Sequence, residues 1–366
     1  MFDNIRPLND SEFPDAMRQL VASPLLKPIA GFVYPGEPLA QVSERLCALP
    51  DIHTMQDTVM RAAIHQILDR SVSDFTHSGT DLILPGRPYL FISNHRDITL
   101  DAFLLQYVLF AYNQLYITFG ANLMQDPLVT LVGRANRMFR VERGGTPKEF
   151  YRNMLQVSQY IRQVIVSDQH SVWIAQRNGR TKNGLDRTEV SLLKMLALGG
   201  RATREMPLMP LKTLNIVPVA ISYEWEPCDL LKARELHLRS LGPYRKAKGE
   251  DMNSVLTGIL QPKGHVHLSI TAPVTDEEID RCSATDTPFE NLAALIDRRI
   301  NGAYHLHPTN YLAYDLLHRS SRFADHYSSD IRSQFQQRLE AAASQERSLL
   351  LDIYSHPVEQ QYPEVL

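Results

Sequence analysis

Residues 92–101 read Ile-Ser-Asn-His-Arg-Asp-Ile-Thr-Leu-Asp, and they carry the side chains best suited to chemistry. The apolar run 89–92 predicts a strand that delivers Asn94 and His95 to its end. A helix is expected to start near Asp97 and to hold Asp101 in its first turns. A histidine at a strand end, with a carboxylate just inside the next helix, makes a base and its orienter. The carboxylate keeps one imidazole nitrogen protonated and leaves the other free to take a proton from a hydroxyl. On this motif alone a surface histidine beside an N-capping aspartate reads equally well.

Basic residues follow in two more places. The stretch 138–145, Met-Phe-Arg-Val-Glu-Arg-Gly-Gly, reads as a strand entering a glycine turn. Arg143 then falls at the strand end, where open α/β sheets bind ligands. The stretch 173–184 is an apolar strand opening into a loop with Gly179, Arg180 and Lys182. Glycine N–H groups and guanidinium forks suit a phosphate or carboxylate, although alone the loop reads as a solvated basic turn. Residues 215–223 form an apolar strand with an internal proline. It reads as a core strand near an edge or bulge, with nothing in it for acid–base work.

These residues need elements to position them. Residues 1 to about 70 look helical, with Ile52, Met55, Val59, Met60, Ala63 and Ile67 at helical spacing. Strands are expected at 89–93, 115–119, 138–141, 171–175, 216–222 and 265–270, and helices at 99–112, 147–166 and 188–198. That alternation predicts an α/β fold: a mixed, largely parallel sheet with helices on both faces. Helical extensions flank it, giving 1–71, 72–275 and 276–366 as the divisions. Helices are expected at 310–318 and around Ile331, Phe335 and Leu339, and the tail from His356 reads as loose.

Composition narrows the function classes. The chain has 366 residues and a net charge of -3, which gives no sign of nucleic-acid binding. Its three cysteines, Cys47, Cys228 and Cys282, are scattered without metal-like spacing, which points to a reduced compartment. The start carries no signal-peptide pattern, and the longest apolar stretch, 100–119, is broken by Asp101, Gln106, Asn113 and Gln114. Any membrane contact is therefore expected to be peripheral. His95-Arg96-Asp97 also begins a protein-kinase catalytic loop, but Ala102 stands where that loop needs Asn. The pairs His265/His267 and His305/His307 lack nearby Cys or carboxylate ligands at metal spacing, so no metal site is expected. The basic stretch 232–248 is either solvated surface or a face for anionic lipid heads or an acidic carrier protein.

Across residues 75 to 275 the chain resembles the glycerolipid acyltransferases, which include 1-acylglycerol-3-phosphate and glycerol-3-phosphate acyltransferases. Asn94, His95 and Asp101 resemble the family's first block, and Glu142-Arg143 its second. Gln176 to Arg180 resemble its Phe-Pro-Glu-Gly block, and Ile216 to Val219 its Ile-Val-Pro-Val strand. Two departures stand out. Five residues separate His95 from Asp101, one more than usual; Asp101 is backed as partner, and Asp97, suited to the N-cap, is the rival. Asn178 replaces the family's glutamate, which leaves the acceptor and the level of activity open.

The resemblance implies an enzyme of phospholipid biosynthesis. His95 would act as general base on an acceptor hydroxyl that attacks a thioester. Arg143, Arg180 and Lys182, with Gly179, would hold the acceptor's phosphate, and Asn94 or backbone N–H groups the oxyanion. No cofactor is implied beyond the acyl donor, acyl-CoA or an acyl carrier protein. The implied acceptor is glycerol phosphate or lysophosphatidate, and the implied location the cytoplasmic face of a membrane. The alternatives are a catalytically weak lipid-binding member of the fold, or an acyltransferase for a lyso-aminolipid or other acceptor without phosphate.

Overall fold

Three strands at the middle of this chain's sheet are buried at every position, which is why they read as unbroken apolar runs. The computed structural model describes residues 2–124, 126–142, 144–203 and 205–363. Its strands are β1 (Val72–Ser78), β2 (Leu90–Ser93), β3 (Leu115–Gly120), β4 (Met138–Val141), β5 (Ser171–Ala175), β6 (Ile216–Tyr223) and β7 (Gly264–Ile270). They form one seven-stranded sheet in the order β1-β7-β6-β2-β5-β3-β4. All neighbouring pairs are parallel except β6 and β7. The fold is therefore the mixed, largely parallel α/β sheet that the alternation predicted.

Register sets the site. Ser93 lies level with Ala175 on β5 and with Val219 on β6, so the last residues of β2 and β5 end together. A ligand crevice belongs beyond such carboxyl ends. One sheet face packs against the helices Pro147–Arg162, Val190–Leu198 and Pro288–Ala303, through Val157, Ile161, Leu196 and Ile296. The other face packs against the helices Arg61–Ser71 and Leu100–Leu109, through Ile64, Leu104 and Leu105. Separate apolar cores serve the N-terminal helices and the C-terminal ones.

Three expectations need correction. β6 is not near an edge; it lies between β2 and β7. Its Pro218 is tolerated because the β7 ladder begins one residue later, at Val219 opposite Ile270, and the missing N–H falls just outside it. β1 was not foreseen. It is a sheet edge whose residues are exposed or half-buried, so it lacks the apolar run that betrays a core strand.

The tail is not loose through residue 361. The helix Arg347–Gln361 runs through it with Pro357 inside and Ile353, Tyr354, Pro357 and Val358 buried. Proline cannot donate to the carbonyl one turn back, that of Ile353. Gly184 packs against that carbonyl, so closely that a Cβ there would lie 2.3 Å from the oxygen.

Candidate active site

Beyond β2 the chain leaves the sheet for six residues before the helix Leu100–Leu109 begins. That loop folds around one oxygen. Asp101 Oδ2 accepts from the Arg96 amide at 2.7 Å, from the Asp97 amide at 3.0 Å, and lies 2.8 Å from His95 Nδ1. The residue that lengthens the His–Asp spacing is thus absorbed in a loop whose own N–H groups hold the carboxylate. Asp101 Oδ1 accepts from the Tyr223 hydroxyl at 2.7 Å. Burial, then the Asp101 charge, raises the Tyr223 pKa well above its usual value, so the phenol stays a donor.

Asp97 is not the N-cap expected of it; Thr99 holds that position, two residues later. Asp97 Oδ1 accepts from the Thr99 and Leu100 amides, both at 2.9 Å, and from the Thr99 hydroxyl at 3.2 Å, which closes the turn leading into the helix. Its Oδ2 is buried without a partner and faces Gly258, where a Cβ would come within 2.1 Å.

The His95 ring meets the edge of Trp173, at 5.7 Å between centroids, and Trp173 Nε1 donates to Ser93 Oγ at 2.9 Å. With Nδ1 engaged, Nε2 is the nitrogen left for chemistry. His95 lines a cavity of about 550 Å³ together with Thr118, Trp173, Asn178, Arg180 and Lys182. A second cavity of about 330 Å³ shares Arg180 and Lys182 and continues past Cys228 and Leu238.

The arginine loop lies beside the β2 end, where the Thr181 amide donates to the His95 carbonyl at 2.7 Å. Arg180 is buried with Nη1 unpartnered, and Arg177 has an unpartnered buried Nε. Arg180 lines both cavities, and a guanidinium on a cavity wall suits an anion. Lys182 Nζ lies 2.6 Å from Glu235, and burial, then the nearby Arg180 charge, lowers its pKa to about 8. Gly179 sits at positive φ, the conformation that the loop's turn requires. Arg143 lies outside the described residues.

Asn94 does not serve an oxyanion. It is fully buried, with Oδ1 accepting from the Ile221 amide at 2.8 Å and Nδ2 donating to the Ile221 carbonyl and to Asp186. It clamps β2 to β6. The basic stretch 232–248 is not all surface either, because Lys232 is buried with Nζ 2.5 Å from Glu226.

Sequence reasoning missed the support behind this loop. Arg96 is buried and donates to Asp186 at 2.5 Å and to the Gly184 carbonyl at 3.1 Å, with Glu226 at 3.4 Å. Burial opposes its charge, but Asp186, Tyr304 and Glu226 outweigh that and push its pKa up. Asp186 also binds Thr181 Oγ1 at 2.7 Å, and its backbone is held by Gln360 from the C-terminal helix. One network thus positions both the His95 loop and the arginine loop. Tyr223 was missed as well, since the β6 strand was read as chemically silent. The one available signal was a polar residue at the end of an apolar strand.

Residues 74–222 match the family model Acyltransferase. Among solved structures, the chain is similar to the 1-acyl-sn-glycerophosphate (LPA) acyltransferase PlsC from Thermotoga maritima. The two are 12% identical, with 80% of this chain and 94% of that one covered and a TM-score of 0.37. A comparison with curated proteins gave no match.

Proposed function

We propose that this chain, whose residues 74–222 match the acyltransferase family model, moves a fatty acyl group from a thioester to a hydroxyl in glycerolipid synthesis. The observation that carries the reading is His95 Nδ1 bound to a buried Asp101, on a cavity that also holds Arg180. His95 Nε2 takes the acceptor hydroxyl's proton while its oxygen attacks the thioester carbonyl carbon. The tetrahedral intermediate then collapses, the C–S bond breaks, and the imidazolium returns the proton to the departing thiolate. No serine or cysteine is required as a nucleophile. Asp101 stabilises the imidazolium and fixes its tautomer, as four hydrogen bonds fix Asp101 itself.

The donor in this reading is acyl-CoA or an acyl carrier protein, and the acceptor is glycerol phosphate or lysophosphatidate. Arg180 and Lys182 receive the acceptor's phosphate. No helix among the described residues is long and apolar enough to cross a membrane. Peripheral docking has support beside the second cavity. There the helices Asp229–Leu241 and Glu250–Leu260 expose Leu238, Leu241, Met252, Leu256 and Leu260, close to Arg245 and Lys248. Exposed apolar residues with basic ones nearby suit an anionic lipid surface.

Purified protein assayed with both donor types and a panel of lysolipids and glycerol phosphate tests the reading. Transfer to a phosphate-bearing acceptor, with Arg180→Lys raising its KM and sparing the donor's, is the expected result. No transfer with any pair, alongside retained lipid binding, would overturn it in favour of a lipid-binding role. Transfer only to acceptors without phosphate would overturn the phosphate assignment alone.

A further inference from the structure

The two histidine pairs that the sequence keeps 38 residues apart, from His267 to His305, meet in the fold. His265 and His267 point to the same side of β7, and His305 and His307 alternate along the extended segment before the helix Pro308–His318. The four rings pack at 4.8 to 6.2 Å between centroids. Residues His265, His305 and His307 each offer a nitrogen within 4.8 Å of the other two.

A second observation separates this group from a chance crowd of rings. His307 is completely buried, its Nε2 lies 3.2 Å from Ser222 Oγ, and its Nδ1 has no partner. A buried nitrogen without a hydrogen bond is costly. The backbone around it is fixed: the His307 amide donates to Asn310 Oδ1 at 2.8 Å, and Thr309 Oγ1 donates to the Glu224 carbonyl at 2.5 Å. Across the cluster, the Thr76 hydroxyl touches His265 Nε2 at 2.6 Å and His267 Nδ1 at 2.7 Å, which orients both rings. Such outer hydrogen bonds are what hold histidine ligands to a metal. Asp74 Oδ2 lies 3.9 Å from His265 Nε2 and brings a carboxylate to the rim.

We propose that His265, His305 and His307 form a transition-metal site that ties β7 to the segment ahead of the helix Pro308–His318. Imidazole ligands select a borderline divalent ion such as Zn²⁺, rather than Mg²⁺ or Ca²⁺. Zn–N bonds of about 2.0–2.1 Å put tetrahedral ligands about 3.3 Å apart, so the nitrogens close by up to about 1.5 Å on binding. His305, the exposed member, has the freedom to make that movement. The site faces away from His95: on β6 Ser222 touches His307, while the next residue, Tyr223, points to the opposite face and Asp101. The ion is therefore structural, and the acyl-transfer reading does not depend on it.

The test uses the full chain stripped by a chelator and dialysed. Zn²⁺ is added in a calorimeter, and Co²⁺ is followed by its visible absorption. One ion per chain is expected, with Zn²⁺ raising the melting temperature. His305→Ala and His265→Gln change less buried residues that the fold should tolerate, and each should weaken binding by about tenfold or more. Circular dichroism of the variants confirms that they fold. Absence of binding by the folded wild-type chain, or equal binding in both variants, would overturn the site.

Discussion

His95 and His307 lie on opposite sides of the same stretch of β6, and their surroundings differ in one respect that matters. Behind His95 stands a buried carboxylate, Asp101, which accepts four hydrogen bonds. Around His307 stand other imidazoles and a serine hydroxyl, and one ring nitrogen has no partner. An imidazole with a carboxylate at its back can take and hold a proton, because the charge it gains is answered. One surrounded by further imidazoles is penalised for gaining charge and keeps its lone pairs for something else. The residue type is the same; the neighbours supplied by β6 and by the loops decide what it can do.

Truncating the base should separate the two regions most. His95→Ala is expected to cut acyl transfer by about 10²–10⁴-fold with the melting temperature little changed, since the ring lines a cavity rather than filling the core. Single-turnover rates with saturating donor and acceptor, beside a thermal melt, measure both. Near-normal turnover in the folded variant would remove His95 from the mechanism.

The carboxylate is next. Asp101→Asn should lower turnover on the order of 10²-fold, because an amide cannot stabilise the imidazolium. Asp97→Asn should cost much less, since Asn keeps the Oδ1 that accepts from the Thr99 and Leu100 amides and Asp97 does not touch His95. Steady-state rates for the two variants rank them. If the Asp97 change were the more damaging, the partner of His95 would have been misassigned.

A smaller effect is expected at Tyr223. Its hydroxyl is one of four donors to Asp101, and a hydrogen bond to a charged group is worth about 1.5–3 kcal/mol. Tyr223→Phe should lose about that much stability in urea melts and reduce turnover by less than Asp101→Asn does. A Tyr223→Phe protein as slow as Asp101→Asn would mean that the phenol acts on substrate directly.

What could be read in advance follows from how local each signal is. The strands 90–93, 171–175 and 216–223 announce themselves because both faces are buried, and His95 with Asp101 fall within one short stretch of chain. β1 gave no such signal, since half its side chains face water. Tyr223 is 122 residues from the carboxylate it serves, and no periodicity links them. Arg96, Asp186, Glu226 and Lys232 are charged, and charged residues default to the surface; only the fold shows that they satisfy one another inside it. The tail from His356 read as loose because the residue that holds it, Asp186 against Gln360, is 174 residues away. The meeting of two histidine pairs from different elements was invisible for the same reason.

The subtlest effect concerns Lys182, the one basic residue of the proposed acceptor clamp whose charge changes in an accessible range. Burial and Arg180 hold its pKa at about 8 in the folded chain, against its usual 10.5, while Glu235 at 2.6 Å works the other way. Below about pH 8 the ammonium helps to receive a phosphate; above it the charge is lost, and the acceptor's KM should rise a few-fold. Stability should move in the opposite direction. Between about 8 and 10.5 the unfolded chain binds the proton that folded Lys182 has released, so this group adds stability as pH rises through that window. Lys182→Arg keeps its charge throughout and should abolish both trends. KM values at steps from pH 7 to about 9.5, with urea melts at the same values, test the pair of signs. A KM that is flat in the wild type, or that rises equally in Lys182→Arg, would take Lys182 out of the clamp and leave Arg180 as the anion's partner on that wall.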